Sequence, residues 1–164
     1  MEETTLHAGT ELKPRLVGVN HVALEVGDLE AALAFYGAIF AVTLRGRAPG
    51  MAFLDMGDQF LALSETEAAA AREPNHRPDA HFGLVVDNRS RAKVLAVAAG
   101  ARLVDGAFLD FLDPWGNRIE VVDYADIQFT KAPGVLAGMG LALGKGEEAR
   151  RQLADKGMSD GGAE

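Results

Sequence analysis

His21-Val22-Ala23-Leu24-Glu25-Val26 and His81-Phe82-Gly83-Leu84-Val85-Val86 read as two copies of one strand, each opening on a histidine, the second sixty residues after the first. In the first copy Val22, Leu24 and Val26 are apolar and share a face, while His21, Ala23 and Glu25 share the other, which is the period of a β-strand with one face in a core. The downstream pattern is duplicated too. Asp28 caps an expected helix to Phe40 with Leu29, Leu33, Tyr36 and Phe40 at helical spacing, and Asn88 caps a second to Ala99, with Gly100 at its C-terminal turn. Short strands are expected near 42–45, 51–56 and 59–64, the last two joined at Gly57-Asp58, and near 102–104, 107–112 and 117–124, with Asp113-Pro114-Trp115-Gly116-Asn117 as the second hairpin turn. The tetrapeptide Ala52-Phe53-Leu54-Asp55 recurs as Ala107-Phe108-Leu109-Asp110, which makes Asp55 and Asp110 repeat mates. The fold class expected is α+β, two βαβββ modules sharing one core.

On this pattern the chain divides into a flexible N-terminal arm over 1–15, a first module over 16–64, a linker over 65–79, a second module over 80–125, and a C-terminal extension over 126–164 with a short helix near 147–156. The linker holds an alanine run with Pro74 and Pro78. The extension is expected to dock Phe129, Val135, Leu136, Met139 and Leu141 on the body, because an exposed apolar stretch of that density invites association. Its Gly-Met-Gly-Leu-Ala-Leu-Gly-Lys stretch fails as a phosphate loop, since Gly140 stands one position too close to Gly144-Lys145 and no Ser or Thr follows.

Composition narrows the chemistry. The chain has 164 residues, a mean hydropathy of +0.03 and no apolar run approaching a membrane span, so no membrane partner is expected. The acidic, polar start lacks the features of a secretory signal and points to a cytoplasmic protein. A net charge of −8 offers no field for a phosphate backbone, which argues against nucleic acid as a partner. With no cysteine, disulfides and thiolate chemistry are excluded, and His and carboxylates are left as the strong metal ligands.

Ile119 and Val121 take the apolar face of the last strand, so Glu120 points with Arg118 and Val122 towards the side that alternation assigns to His21 and His81. Two imidazoles and one carboxylate form a facial set that binds one divalent ion per chain, Fe, Mn, Ni or Zn, with positions left open for substrate. Ala23 and Gly83, two residues past each histidine, leave room for a bound molecule. His7 in the arm and His76 in the linker have no such partners and read as solvated residues.

The stretches Asn20 to Tyr36 (NHVALEVGDLEAALAFY) and Phe111 to Glu120 (FLDPWGNRIE) resemble the vicinal oxygen chelate superfamily, which groups glyoxalase I, fosfomycin-resistance thiol transferases, extradiol dioxygenases and bleomycin-resistance proteins. The resemblance covers about 16–125. It implies paired modules curved into a half-barrel around a divalent metal, with His21, His81 and Glu120 on the ligand positions and a substrate chelating through two adjacent oxygens. Departures from the family narrow the choice. A fourth ligand of glyoxalase I falls at Ala62, and its glutathione-binding arginine at Glu25, where a carboxylate repels glutathione. The pocket tyrosine of extradiol and fosfomycin-resistance enzymes falls at Asp110.

The expected function is metal-dependent, isomerase- or lyase-like proton transfer on a small substrate, with Asp110 or Glu25 carrying the proton and the metal stabilising an enediolate or similar anion. The alternatives are an Fe(II) extradiol-type dioxygenase, and a bleomycin-resistance-like protein that sequesters an apolar compound with the help of Phe53, Phe60 and Phe108. The expected assembly is a homodimer; pairing of modules within one chain or between chains is left open.

Overall fold

The structure, a computed structural model, describes residue 14, residues 17–73 and residues 78–158. His7 and His76 lie outside the described residues, as does most of the expected arm.

The first module runs β1 (His21–Val26), α1 (Leu29–Ile39), β2 (Leu44–Ala48), β3 (Met51–Asp55) and β4 (Phe60–Glu65). A one-turn helix, α2 (Glu67–Ala70), comes next. The second module runs β5 (His81–Val86), α3 (Arg89–Ala98), β6 (Arg102–Val104), β7 (Leu109–Leu112) and β8 (Arg118–Asp123). Each module forms a four-stranded mixed sheet, ordered β1-β4-β3-β2 and β5-β8-β7-β6, so the first strand of each lies parallel to the last. This is the α+β pair of βαβββ modules.

Both long helices begin where expected, because the Asp28 carboxylate accepts from the N–H of Ala31 and the Asn88 side chain from that of Arg91. The buried stripe of α1 is Leu29, Ala32, Phe35, Tyr36 and Ile39, one residue round from the expected stripe, so that Phe35 joins the core and Leu33 lies at its edge. Strand β2 starts two residues later than expected and carries a bulge between Leu44 and Gly46.

One core is shared by both modules: Leu24, Val26, Phe35 and Leu61 cluster with Ala92, Phe111, Ile119 and Val121. Helix α1 touches α3, and Phe35 meets Phe111 of β7 edge-on at 6.3 Å. The helix-bearing faces of the two sheets therefore turn towards a common interior. Their other faces, which carry the histidines, turn away from it.

The junction is fixed by Asp113, 1% exposed. Its Oδ2 accepts from Tyr36 Oη at 2.8 Å and Asn117 Nδ2 at 2.7 Å, and its Oδ1 from the backbone N–H groups of Trp115 and Asn117, both at 2.9 Å. The loop so shaped reaches back to module one and the linker after it: Asn117 Nδ2 donates to Glu25 O at 2.9 Å, and Trp115 O accepts from Arg72. Trp115 lies so close over Gly27 that a Cβ there would stand 2.7 Å from its Nε1 and 2.6 Å from Ala70 Cα, so this position is held to glycine.

After β8 the chain continues through α4 (Pro133–Gly138), a helix the residue pattern did not indicate, to α5 (Glu147–Asp155). Val135 and Met139 crowd Gly57 in the β3–β4 turn, and Lys131 pairs with Asp58 there. Phe129 meets Tyr124 edge-on at 6.4 Å, and the buried Lys145 donates to the carbonyls of Tyr124 and Phe129. The extension thus ties the end of β8 to module one. Among the described residues no helix is long and apolar enough to cross a membrane.

Burial and the Asp113 charge push the Tyr36 hydroxyl well above its ordinary value of 10.0. A raised pKa contributes stability that is full below the unfolded value and is lost as pH rises through the folded one. Tyr36→Phe is therefore expected to cost roughly 1.5–3 kcal/mol at neutral pH, the worth of a hydrogen bond to a charged group, and the difference from the parent should shrink above about pH 10. Denaturant titrations of both proteins across that range check it.

Candidate metal centre

Register places the outer face of sheet two residue by residue. His81 pairs with Arg118 and Gly83 with Glu120 across β5 and β8, while Asp110 pairs with Glu120 and Leu112 with Arg118 across β7 and β8. Side chains at paired positions point the same way, so His81, Glu120, Arg118, Asp110 and Leu112 share this face. Ile119 and Val121, fully buried, take the other. A Cβ at Gly83 would stand 3.8 Å from Glu120 Oε1, which puts the carboxylate over the bare glycine next to His81. The structure therefore gathers two of the three expected ligands.

The third lies on sheet one. His21 pairs with Phe60 and Ala23 with Ala62, so His21 occupies in its module the place of His81, and Ala62 that of Glu120. The ring of His21 stacks on Phe60 at 4.7 Å, with Phe53 edge-on to Phe60 at 5.8 Å and the Arg45 guanidinium carbon 5.0 Å from the Phe60 centroid. Both imidazoles are exposed and oriented through Nδ1, which lies 2.8 Å from Asn20 Oδ1 in His21 and 3.0 Å from Asp79 O in His81. Oxygen acceptors at Nδ1 make it the N–H and leave Nε2 as the lone-pair donor, the form in which histidine binds a metal. Because the two outer faces turn away from the shared core, the sets stay apart. Among the described residues no three His, Cys, Asp or Glu side chains gather closely enough to hold a metal ion.

Asp110 and Glu25 occupy different settings from those expected of a proton carrier. Asp110 is 2% exposed, and its Oδ2 accepts from Arg118 Nε at 2.9 Å and Nη2 at 2.6 Å. Its Oδ1 is buried with no hydrogen-bond partner among the described residues. The Gly106 backbone closes over the carboxyl group, so that a Cβ at Gly106 would stand 2.6 Å from Asp110 Cγ. Glu25 is on the outer face of sheet one, paired with Arg72 at 3.2 Å, but four residues along β1 from His21, about 13 Å in an extended strand.

Two further expectations change. The repeated tetrapeptide is out of step by two residues: Phe53 pairs with Ala62 as Asp110 pairs with Glu120, so the structural mate of Asp110 is Phe53 and that of Asp55 is Leu112. Period-two patterning survives such a slip, which is why the sequence concealed it. Phe108, expected beside Phe53 and Phe60, precedes β7 and packs under Arg89 at 5.6 Å. Arg118, Arg45 and Arg72 were not picked out as functional residues, and the signal for Arg118 was its place two residues before Glu120, in phase with it.

The model of the Glyoxalase/Bleomycin resistance protein/Dioxygenase superfamily matches residues 18–121, and the chain belongs to that family. It is 27% identical over 113 residues to the glutathione transferase FosA of Serratia marcescens, covering 65% of this chain and 80% of that protein. Among solved structures it is similar to a mutant of FosX, a fosfomycin resistance protein of Listeria monocytogenes, in complex with Mn(II) and 1S,2S-dihydroxypropylphosphonic acid. There the TM-score is 0.54 and the identity 17%, over 65% of this chain and 90% of that one. It is also similar to a lactoylglutathione lyase of Agrobacterium tumefaciens, with a TM-score of 0.51 and 22% identity over 68% of this chain and 96% of that one. At these identities the solved structures show a shared fold.

Gly106→Ala is expected to drive a methyl group into the Asp110 carboxylate and destabilise the protein by about 1–3 kcal/mol, the usual cost of overpacking. Thermal denaturation reads this directly; an unchanged midpoint would mean that the loop yields freely and does not hold Asp110.

Proposed function

We propose that this chain is a divalent-metal-dependent enzyme whose metal is held by His81 and Glu120 of one copy and His21 of a second copy, in a homodimer. The observation that carries this reading is the placement of His81 beside Glu120 on one outward face and of His21 at the equivalent position of the other, with both Nε2 atoms unengaged by the bonds that orient the rings. A two-fold assembly that laid the outer face of sheet one on that of sheet two would complete two such sets at once. Two imidazoles and a carboxylate suit Fe, Mn, Ni or Zn and leave positions for a small substrate with neighbouring oxygens. When bound, the metal supplies Lewis-acid polarisation of those oxygens. The Mn(II) in the FosX complex supports a divalent ion of this kind.

The residues around the set shape the reaction. Asp110, buried and held by Arg118, is placed to orient that guanidinium rather than to carry the proton. Glu25 stands too far along β1 to reach atoms at the metal, and its place is beside a substrate that extends along the strand. In an isomerase- or lyase-like reaction the proton lost by the polarised substrate would then pass to a solvent water rather than to either carboxylate. Addition of a nucleophile to the polarised substrate is the second reading. It is favoured by the Arg72–Glu25 pair, which offsets the carboxylate expected to repel glutathione, and by the likeness to a glutathione transferase.

Mixing variants tests the two-copy centre. His21→Ala and His81→Ala alone should each lose metal affinity by more than the roughly 10–100-fold that an outer-shell partner is worth. Refolded together in equal amounts they should regain about one tight site per four chains, because about half the dimers are mixed and each mixed dimer rebuilds one centre. No recovery on mixing would overturn the two-copy reading, and full metal uptake by His81→Ala alone would overturn the ligand set.

A further inference from the structure

We propose that Arg118, oriented by Asp110, receives an oxyanion of the substrate, so that the substrate class is a small carboxylate or phosphonate bearing its chelating oxygens next to the anionic group. The placement in the metal's neighbourhood rests on the two-copy centre proposed above; the anion-binding role of the guanidinium itself does not.

Arg118 is the register partner of His81, one strand spacing or about 5 Å away, and lies two residues from Glu120 on the same face. Two of its donors, Nε and Nη2, go to a single oxygen, Asp110 Oδ2. Nη1 makes no bond among the described residues. The guanidinium is thus tied down along one edge with donors to spare on the other, and its side chain keeps 20% of its exposure while that of Asp110 keeps 1%. A planar cation immobilised in this way loses little conformational freedom when it takes up a planar or tetrahedral oxyanion.

The carboxylate behind it is costly to keep. Asp110 Oδ1 is buried without a partner among the described residues, and a buried ion pair with an unsatisfied oxygen is a poor device for stability alone. Its cost is understandable if the pair serves to aim Arg118. Sheet one offers a parallel. At the position equivalent to Arg118 stands Phe60, on whose ring His21 stacks, and the Arg45 guanidinium, with no ion pair among the described residues, also lies over that ring.

The test uses the full chain, metal-free and loaded with diamagnetic Zn(II), titrated with glycolate and with methylphosphonate. Nitrogen-15 NMR follows the Arg118 Nε–H signal, and calorimetry follows affinity. Either anion should move that signal, and Arg118→Met should bind both at least about tenfold more weakly with Zn(II) uptake unchanged, while Arg118→Lys keeps part of the affinity. Because Arg118→Met strands a buried carboxylate, the double variant Asp110→Asn/Arg118→Met serves as the folded control and should be equally weak. Asp110→Asn alone should shift the Arg118 signal and lower anion affinity without changing Zn(II) uptake. Anion binding as tight in the Arg118 variants as in the parent, or a silent Arg118 signal with both anions, would overturn the proposal. Failure to bind Zn(II) with Arg118 still responsive would instead overturn the metal centre and leave the anion site standing.

Discussion

The buried carboxylate of Asp113 organises the join between the two modules. Four donors converge on its two oxygens, one from helix α1 and three from its own loop, so one charge both folds the turn before β8 and seizes the helix of the other module. A carboxylate that deep costs little only when its lone pairs are filled, and those of Asp113 are. Asn117 and Trp115, set by that loop, then grip Glu25 of module one and Arg72 just beyond it. The relative placement of the sheets follows from these contacts together with the packing of Phe35 on Phe111.

That placement decides what the outer faces can do. With both helix-bearing faces turned inward, each sheet presents its histidine outward, one with Glu120 alongside and one with Phe60 under it. Neither face holds a full ligand set among the described residues. The division is chemically coherent, since one half offers the carboxylate and a braced guanidinium, the other an aromatic floor with Phe53 and Phe60. Joined across two copies, as proposed, they would make a cup with metal ligands at its centre.

Much of this was legible from residue order. Strand alternation identified the apolar faces and put Glu120 in phase with the histidines, and the caps at Asp28 and Asn88 marked both helices. What escaped the sequence was tertiary. The two-residue slip between Asp55 and Asp110 leaves alternation intact, so only pairing with β4 and β8 reveals it. The burial of Asp110 depends on the Gly106 backbone lying over it, and its pairing with Arg118 on a neighbouring strand eight residues on. Helix α4 was unreadable because its stretch is rich in glycine and alanine, and its place is set by Val135 and Met139 against the Gly57 turn.

The most direct measurement of the central claim is anomalous diffraction at the zinc edge from crystals of the Zn(II)-loaded protein. The account predicts one strong peak per chain, about 2.0–2.2 Å from a nitrogen of His81 and an oxygen of Glu120 in one copy and from a nitrogen of His21 in another. A peak whose protein ligands all come from one chain, or one that omits Glu120, would contradict it.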